Sequence, residues 1–312
     1  MVNMLDILAH IAEAGDEAVD LGRRMAVPVS SVIGHSLEGL TLWTLHPNTS
    51  VLDCMETFSK GVHRALVPLE SSADNVVAVE LVESAPGYRM VTQMDVVRFL
   101  RAHGAELRGV LSRTVRELGA VSEAVFAVAS GARVIDAVKA MRAASLTAVP
   151  VVDAAAVGEE TLQDGVGKKA VETFSATDLR DCPVARLQPW LGISVTEFKR
   201  KVAEYRASNK PVVHGADATG TGVPVAADAD APAAAAVATD EEQSDEHPLV
   251  TCSLESTLCE AIEAAVTRHV HRLWAVDGDG LLRGVMSLTD VLRAVREAAL
   301  GEDRELHSIV PS

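Results

Sequence analysis

Between Leu258 and Val295 the apolar positions change period twice. Leu258, Ile262, Ala265 and Val266 recur at helical spacing, Leu273 to Val276 and Leu281 to Met286 form two short apolar runs, and Val291, Leu292 and Val295 return to the helical period. That order predicts helix, strand, strand, helix. The turn between the strands falls on Asp277-Gly278-Asp279-Gly280, residue types that tolerate a tight backbone, and Leu249 to Cys252 reads as a short strand in front. Ser287 stands where the second helix needs a cap.

The same order occurs twice upstream. Val51, Leu52, Met55 and Phe58 give a helix, Ala65 to Leu69 and Tyr88 to Val91 two strands, and Thr92 opens a helix of Val96, Val97 and Leu100. Val134, Ile135, Val138 and Met141, then Ala148 to Val152, Val171 to Phe174 and Ser175, repeat it. Each unit carries the same helix opening: Thr92-Gln93-Met94-Asp95, Ser175-Ala176-Thr177-Asp178 and Ser287-Leu288-Thr289-Asp290, with Asn3-Met4-Leu5-Asp6 as a fourth example. The four aspartates are 89, 83 and 112 residues apart, which suits small domains and not a short solenoid repeat. Longer insertions between the paired strands distinguish the second and third units from the fourth, and hairpin tips tolerate them at small entropic cost.

These patterns divide the chain into a remnant of a first unit at 1–27, a second at 28–103, a third at 108–182 and a fourth at 248–300. The first unit keeps only its last helix, and Met4, Leu5, Leu8 and Ile11 are expected to pack on the second unit or to stay partly exposed. Residues 183–213 form a connecting region whose Trp190, Leu191, Val195, Phe198 and Val202 predict an amphipathic helix broken near Gly192. That helix is expected to pack on its own domain or to serve a partner. Residues 214–247, rich in Ala, Asp, Glu, Gly and Thr, read as an acidic flexible loop with too little apolar area to offset its ordering entropy.

The chain has 312 residues, long enough for two compact bodies, each of two units. Its 48% hydrophobic content against 3% aromatic predicts a core of Val, Leu, Ile and Ala. A formal charge of -16 argues against nucleic acid, whose phosphates are bound by clustered Lys and Arg, but leaves a small phosphate ligand open. The four cysteines lack a CxxC pair, and no apolar segment approaches about 18 uncharged residues, so no membrane partner is expected. The expected location is the cytoplasm, the nucleus or both.

A Ser or Thr followed three residues later by Asp is a helix cap: the hydroxyl satisfies an orphan N–H and the carboxylate suits the helix dipole. In a strand-to-helix junction it also presents free N–H groups to a phosphate and a carboxylate to a ribose diol. Two units add a basic pair at the start of their first strand, His63-Arg64 and His271-Arg272, where the third has Thr147-Ala148. Such a pair is either a solvated strand edge or a phosphate contact. An enzyme would need a nucleophile with its base, a metal set or a phosphate loop. Gly165-Val166-Gly167-Lys168-Lys169 lacks P-loop spacing and reads as a hairpin tip, and the ten histidines form no HExxH pair.

The stretch from Val270 to Asp277, followed by Gly284 to Leu292, resembles a CBS (cystathionine beta-synthase) domain. Four such repeats with basic pairs in the second and fourth resemble the gamma regulatory subunits of AMP-activated and SNF1-related protein kinases, closest to the plant gamma-like members on account of Gly34 to Leu45, Phe174 to Arg180 and Met4 to His10. The resemblance implies an α+β fold: short β-sheets packed with helices in tandem CBS repeats, paired one with two and three with four, with the first repeat truncated. It implies a non-catalytic subunit that binds AMP, ADP or ATP in clefts between paired repeats and relays this to a kinase catalytic alpha subunit and a scaffold beta subunit. Asp6, Asp95, Asp178 and Asp290 match the ribose contacts, Thr92, Ser175 and Ser287 the accompanying hydroxyls, and His63, Arg64, His271 and Arg272 the phosphate contacts. Asn3 departs from the hydroxyl and the third repeat lacks the basic pair, which leaves Ser287, Asp290, His271 and Arg272, between repeats three and four, as the leading site. A nucleotide-blind CBS scaffold, or a CBS regulator of a metabolic or redox enzyme, are the alternatives.

Overall fold

The computed structural model describes residues 6, 7, 10, 26–32, 42–69, 87–153, 161–179, 189–208 and 249–309. The loop at 214–247, and Met4, Leu5, Leu8 and Ile11, lie outside the described residues. The second repeat contains α1 (Val51–Ser59), β1 (Arg64–Pro68), β2 (Tyr88–Thr92) and α2 (Gln93–Ala102), and a short α3 (Arg108–Leu111) leads out of it. The third contains β3 (Phe126–Ala129), α4 (Val134–Ala143), β4 (Ala148–Val152), β5 (Leu162–Asp164) and β6 (Ala170–Ser175), followed by a 3-10 turn at Ala176–Leu179 and α5 (Val195–Ser208). The fourth contains β7 (Thr251–Ser253), α6 (Leu258–Thr267), β8 (Arg272–Val276), β9 (Leu282–Ser287) and α7 (Leu288–Ile309). The fold is α+β, and the helix, strand, strand order recurs in all three repeats.

Two strands were not anticipated, and both have local causes. β3 pairs parallel with β4 through the α4 crossover, as β7 pairs with β8 through α6, and runs of only a few residues carry too little period to be read alone. β5 belongs to the inter-strand insertion of the third repeat, which folds back antiparallel onto β3 and gives the order β5-β3-β4-β6. After Ser175, where a helix was expected, the described backbone makes one 3-10 turn. The Gly165–Lys169 segment, expected as a hairpin tip, instead joins β5 and β6 on opposite edges of this sheet, and it docks on the fourth repeat: Gly167 N–H donates to Leu282 O at 2.8 Å and Leu282 N–H to Lys168 O at 2.8 Å.

The second and fourth repeats pack through their helices. Phe58, Val97, Leu258, Val291 and Leu292, all inaccessible to solvent, lie in one core shared by the two, and a fully buried side chain of this size contributes roughly 1.5–3 kcal/mol. Reciprocal ion pairs show that the packing is two-fold in character. Arg296 meets Glu56 at 2.7 Å while Arg101 meets Glu263 at 2.6 Å; each arginine follows its motif aspartate by six residues, and each glutamate follows its helix cap by six.

The third and fourth repeats pack through their sheets, with Val125, Ala127, Val152, Ala170, Trp274 and Leu282 buried between them. Helix α5 covers the other side of the third repeat: Val195, Phe198 and Val202 are buried with Phe174, whose ring meets that of Phe198 edge-on at 6.0 Å. Of the two roles open to this helix, the observed one is packing on its own domain. In the remnant of the first repeat, Ile7 packs against this same third-repeat core.

Close approach of the sheets depends on Gly284. A Cβ there would lie 2.7 Å from Ser122 O and collide with Val121 Cγ1, at the point where Ser122 and Val285 exchange backbone hydrogen bonds of 2.9 and 2.8 Å. Gly284→Val is expected to destabilise the protein by roughly 1–3 kcal/mol, the usual scale of overpacking, read as a lower urea midpoint; an unchanged midpoint would contradict the interface. Burial raises the pKa of the Cys54 thiol and pushes that of Cys252 up to about 11, whereas Cys259 is exposed. Alkylation of the native protein at pH 8 should therefore label Cys259 well before Cys54 or Cys252, and equal rates would contradict this packing.

Candidate functional site

The same junction is built three times, in one register. Arg64, Ala148 and Arg272 open the first strand of their hairpins and lie opposite Thr92, Ser175 and Ser287. One residue on, the chain leaves the ladder: the N–H groups of Gln93, Ala176 and Leu288 donate to the carbonyls of His63, Thr147 and His271 at 3.1, 3.0 and 3.1 Å. The motif aspartate then closes the cap. Its Oδ2 accepts the backbone N–H of the hydroxyl residue at 2.8 Å for Asp95, 2.7 Å for Asp178 and 2.9 Å for Asp290. The hydroxyl donates to the same oxygen in each case, and in the second and fourth repeats accepts the aspartate N–H in return, a reciprocal capping box. One carboxylate oxygen is thereby committed to the fold, and only Oδ1 remains for anything else.

The fate of Oδ1 differs among the repeats. Asp95 is exposed. Asp290 is 9% exposed and accepts from Arg293 Nη2 at 2.5 Å, with the arginine side chain itself 43% exposed. Asp178 is 2% exposed and accepts from Lys199 Nζ at 3.3 Å, while the same ammonium donates to Thr173 O at 2.6 Å.

Cross-repeat contacts gather the junctions around the fourth repeat. Arg272 Nη1 donates to Thr147 Oγ1 at 2.8 Å and Trp274 Nε1 to Thr173 Oγ1 at 2.8 Å, so the third repeat is reached from β8. Gln93, buried in the second repeat, donates from Nε2 to Thr289 Oγ1 at 2.9 Å and to Phe58 O at 3.0 Å. Burial lowers the pKa of the Arg272 guanidinium and the Asp290 charge partly offsets this. Arg272 thus stays a cation, short of solvent and set between the openings of the third and fourth repeats.

Of the residues expected to form the leading site, Arg272, Ser287 and Asp290 come together, with His271 exposed at the edge and joined through its carbonyl to Leu288. Ser175 and Asp178 lie at the neighbouring junction, where Arg272 meets Thr147. His63, Arg64, Thr92 and Asp95 form the equivalent junction of the second repeat, tied to the fourth through Gln93. Asp6 is buried. Four participants are not singled out by the sequence. Thr147 was read as the absence of a basic pair and is the acceptor for Arg272; Gln93 and Thr289 sit inside the motif but read as spacers. Lys199 had a legible signal, because it falls on the apolar stripe of α5 between Val195, Phe198 and Val202.

A groove of about 670 Å³ lies elsewhere, on the outer side of the fourth repeat against Leu249, Thr251, Glu260, Glu263 and Arg268, and includes none of these site residues. Among the described residues no group of His, Cys, Asp and Glu is placed to hold a metal ion, and no helix is long and apolar enough to cross a membrane.

Sheets paired face to face, with a repeated strand-to-helix opening that carries a capping aspartate, define a tandem CBS-domain protein, and the CBS domain family matches residues 245–297 directly. Two proteins of Arabidopsis thaliana, the SNF1-related protein kinase regulatory subunits gamma-like PV42a and PV42b, are 44% and 42% identical over 303 residues, covering 95% and 96% of this chain and 75% and 76% of their own. The chain belongs to this family of gamma-like regulatory subunits of SNF1-related protein kinases. Protein MJ1225 of Methanocaldococcus jannaschii, a proposed archaeal homologue of γ-AMPK, shares the fold, with a TM-score of 0.53 at 15% identity over 93% of this chain and 81% of its own. The relatives are named as regulatory subunits, and the chain is accordingly non-catalytic.

Because Asp290 closes a cap at the head of α7, Asp290→Ala is expected to cost roughly 0.5–2 kcal/mol, with Asp290→Asn, which keeps an acceptor, costing less. Urea denaturation checks the order of the two; equal losses would mean that the carboxylate oxygen is not the capping group.

Proposed function

We propose that this chain binds an adenine nucleotide, AMP, ADP or ATP, between its third and fourth repeats and relays occupancy to a kinase catalytic alpha subunit and a scaffold beta subunit, in the cytoplasm, the nucleus or both. The observation that carries this reading is Arg272, a half-buried cation held between the openings of the third and fourth repeats by Thr147 on one side and the charge of Asp290 on the other. A phosphoryl group there meets the guanidinium and the positive end of α7 together. The ribose diol is left to Asp290 Oδ1, where it replaces Arg293, a mostly solvated partner whose ion pair is worth little.

Relay follows from the packing. The helix that starts at this opening continues into the shared core with the second repeat and carries Arg296 to Glu56. A ligand that orders the start of α7 therefore acts on both contact faces of the fourth repeat. The Arabidopsis relatives are named as kinase regulatory subunits, which supports the kinase as recipient.

A nucleotide at 100 times its dissociation constant should add about 2.7 kcal/mol of apparent stability. Thermal melts with AMP, ADP and ATP are expected to show this shift in the wild type and to lose most of it in Arg272→Ala. An equal shift in the variant would remove Arg272 from the site, and no shift with any adenine nucleotide, with kinase binding retained, would favour a nucleotide-blind scaffold.

A further inference from the structure

The three junctions share one cap but differ in what holds the spare carboxylate oxygen. If a ribose is to bind a motif aspartate, it must displace whatever occupies Oδ1, because Oδ2 already accepts from the backbone and the hydroxyl. At Asp290 the occupant is Arg293, whose side chain is 43% exposed and is free to return to water. At Asp178 it is Lys199, whose side chain is 11% exposed and whose carboxylate partner is 3% exposed. Removing one member of a buried pair leaves an uncompensated charge, whereas releasing a surface pair costs little. Lys199 is also anchored a second time, by its 2.6 Å bond to Thr173 O in β6, and its backbone is fixed by Val195, Phe198 and Val202 on the buried stripe of α5.

We infer that Lys199 is a latch that occupies the Asp178 carboxylate in place of a ribose and restricts nucleotide binding by the third and fourth repeats to the Asp290 opening. This rests on the nucleotide-binding reading and narrows it. The latch comes from a helix outside the repeated unit: the strand-strand-motif order is common to all three repeats, whereas α5 follows the third alone among the described elements. Arg272 fits the same division, because on the third-repeat side it spends a donor on Thr147, while the charge that faces it is that of Asp290. Two openings built to one pattern thus differ in the burial of the cation that holds the motif carboxylate.

The test is the number of nucleotides bound per full-length chain, by equilibrium dialysis of labelled ADP at concentrations well above saturation of the wild type. Lys199→Gln, or Lys199→Met if only that variant keeps the cooperative melt of the wild type, is expected to bind one more ADP per chain. Lys199→Arg, which keeps the charge, should bind the wild-type number, and adding Asp178→Ala to the unlatched variant should remove the extra site. If the wild type binds ADP and the unlatched variant binds the same number, the latch is wrong and the nucleotide reading stands. If neither protein binds ADP, both are wrong.

Discussion

The structure depends on one hydrogen-bonding constraint: when a strand turns directly into a helix, the first helical N–H groups have no partner and must be given one. Here the ladder ends with Gln93, Ala176 and Leu288 donating to the carbonyls of His63, Thr147 and His271, the N–H of the hydroxyl residue just before each donates to the aspartate carboxylate three residues on, and in the second and fourth repeats the hydroxyl accepts the N–H of that aspartate. Because the ladder end and the carboxylate cap are common to the three repeats, the paired strands meet the following helix or turn in the same register in each. Each repeat then offers a sheet face on one side and, in the second and fourth, a helix face on the other. The fourth repeat uses both, its sheet against the third and its helices against the second.

The same constraint creates the opportunity for a ligand. A cap that commits one carboxylate oxygen leaves the other pointing away from the backbone it serves, beside the positive end of a helix. What that oxygen does is then decided by neighbours from outside the motif: bulk solvent at Asp95, an arginine on the same helix at Asp290, a buried lysine from α5 at Asp178. At the start of the first strand, Arg272 is held in place by Thr147.

That division explains what was legible in the sequence. The helix, strand, strand order, the capped openings and the turn at Asp277 were readable because each is fixed by neighbours close in sequence, through apolar period or cap geometry. Asp277 itself accepts from the N–H groups of Asp279 and Leu281, a local device with a local signal. Contacts between repeats were not readable. That Arg272 would meet Thr147, that Gln93 would meet Thr289, or that Ile7 would lie on the third repeat, depends on which faces pack, and period alone does not say which of several apolar faces meet. Lys199 is intermediate: its place on the apolar stripe of α5 marks a buried charge that needs a partner, but not that the partner is Asp178. β5 was hidden for a further reason, since three residues inside an insertion become a strand only because β3 has an open edge.

The most direct test of the central claim, that a nucleotide is held at the opening of α7 by Arg272 and Asp290, is hydrogen exchange of the full chain with and without ADP. Slower exchange concentrated in the amides from Arg272 to Asp290, with the outer groove at Leu249–Thr251 and Cys259–Arg268 unchanged, is the result this account requires. Protection confined to that groove, with the α7 opening unaffected, would contradict it.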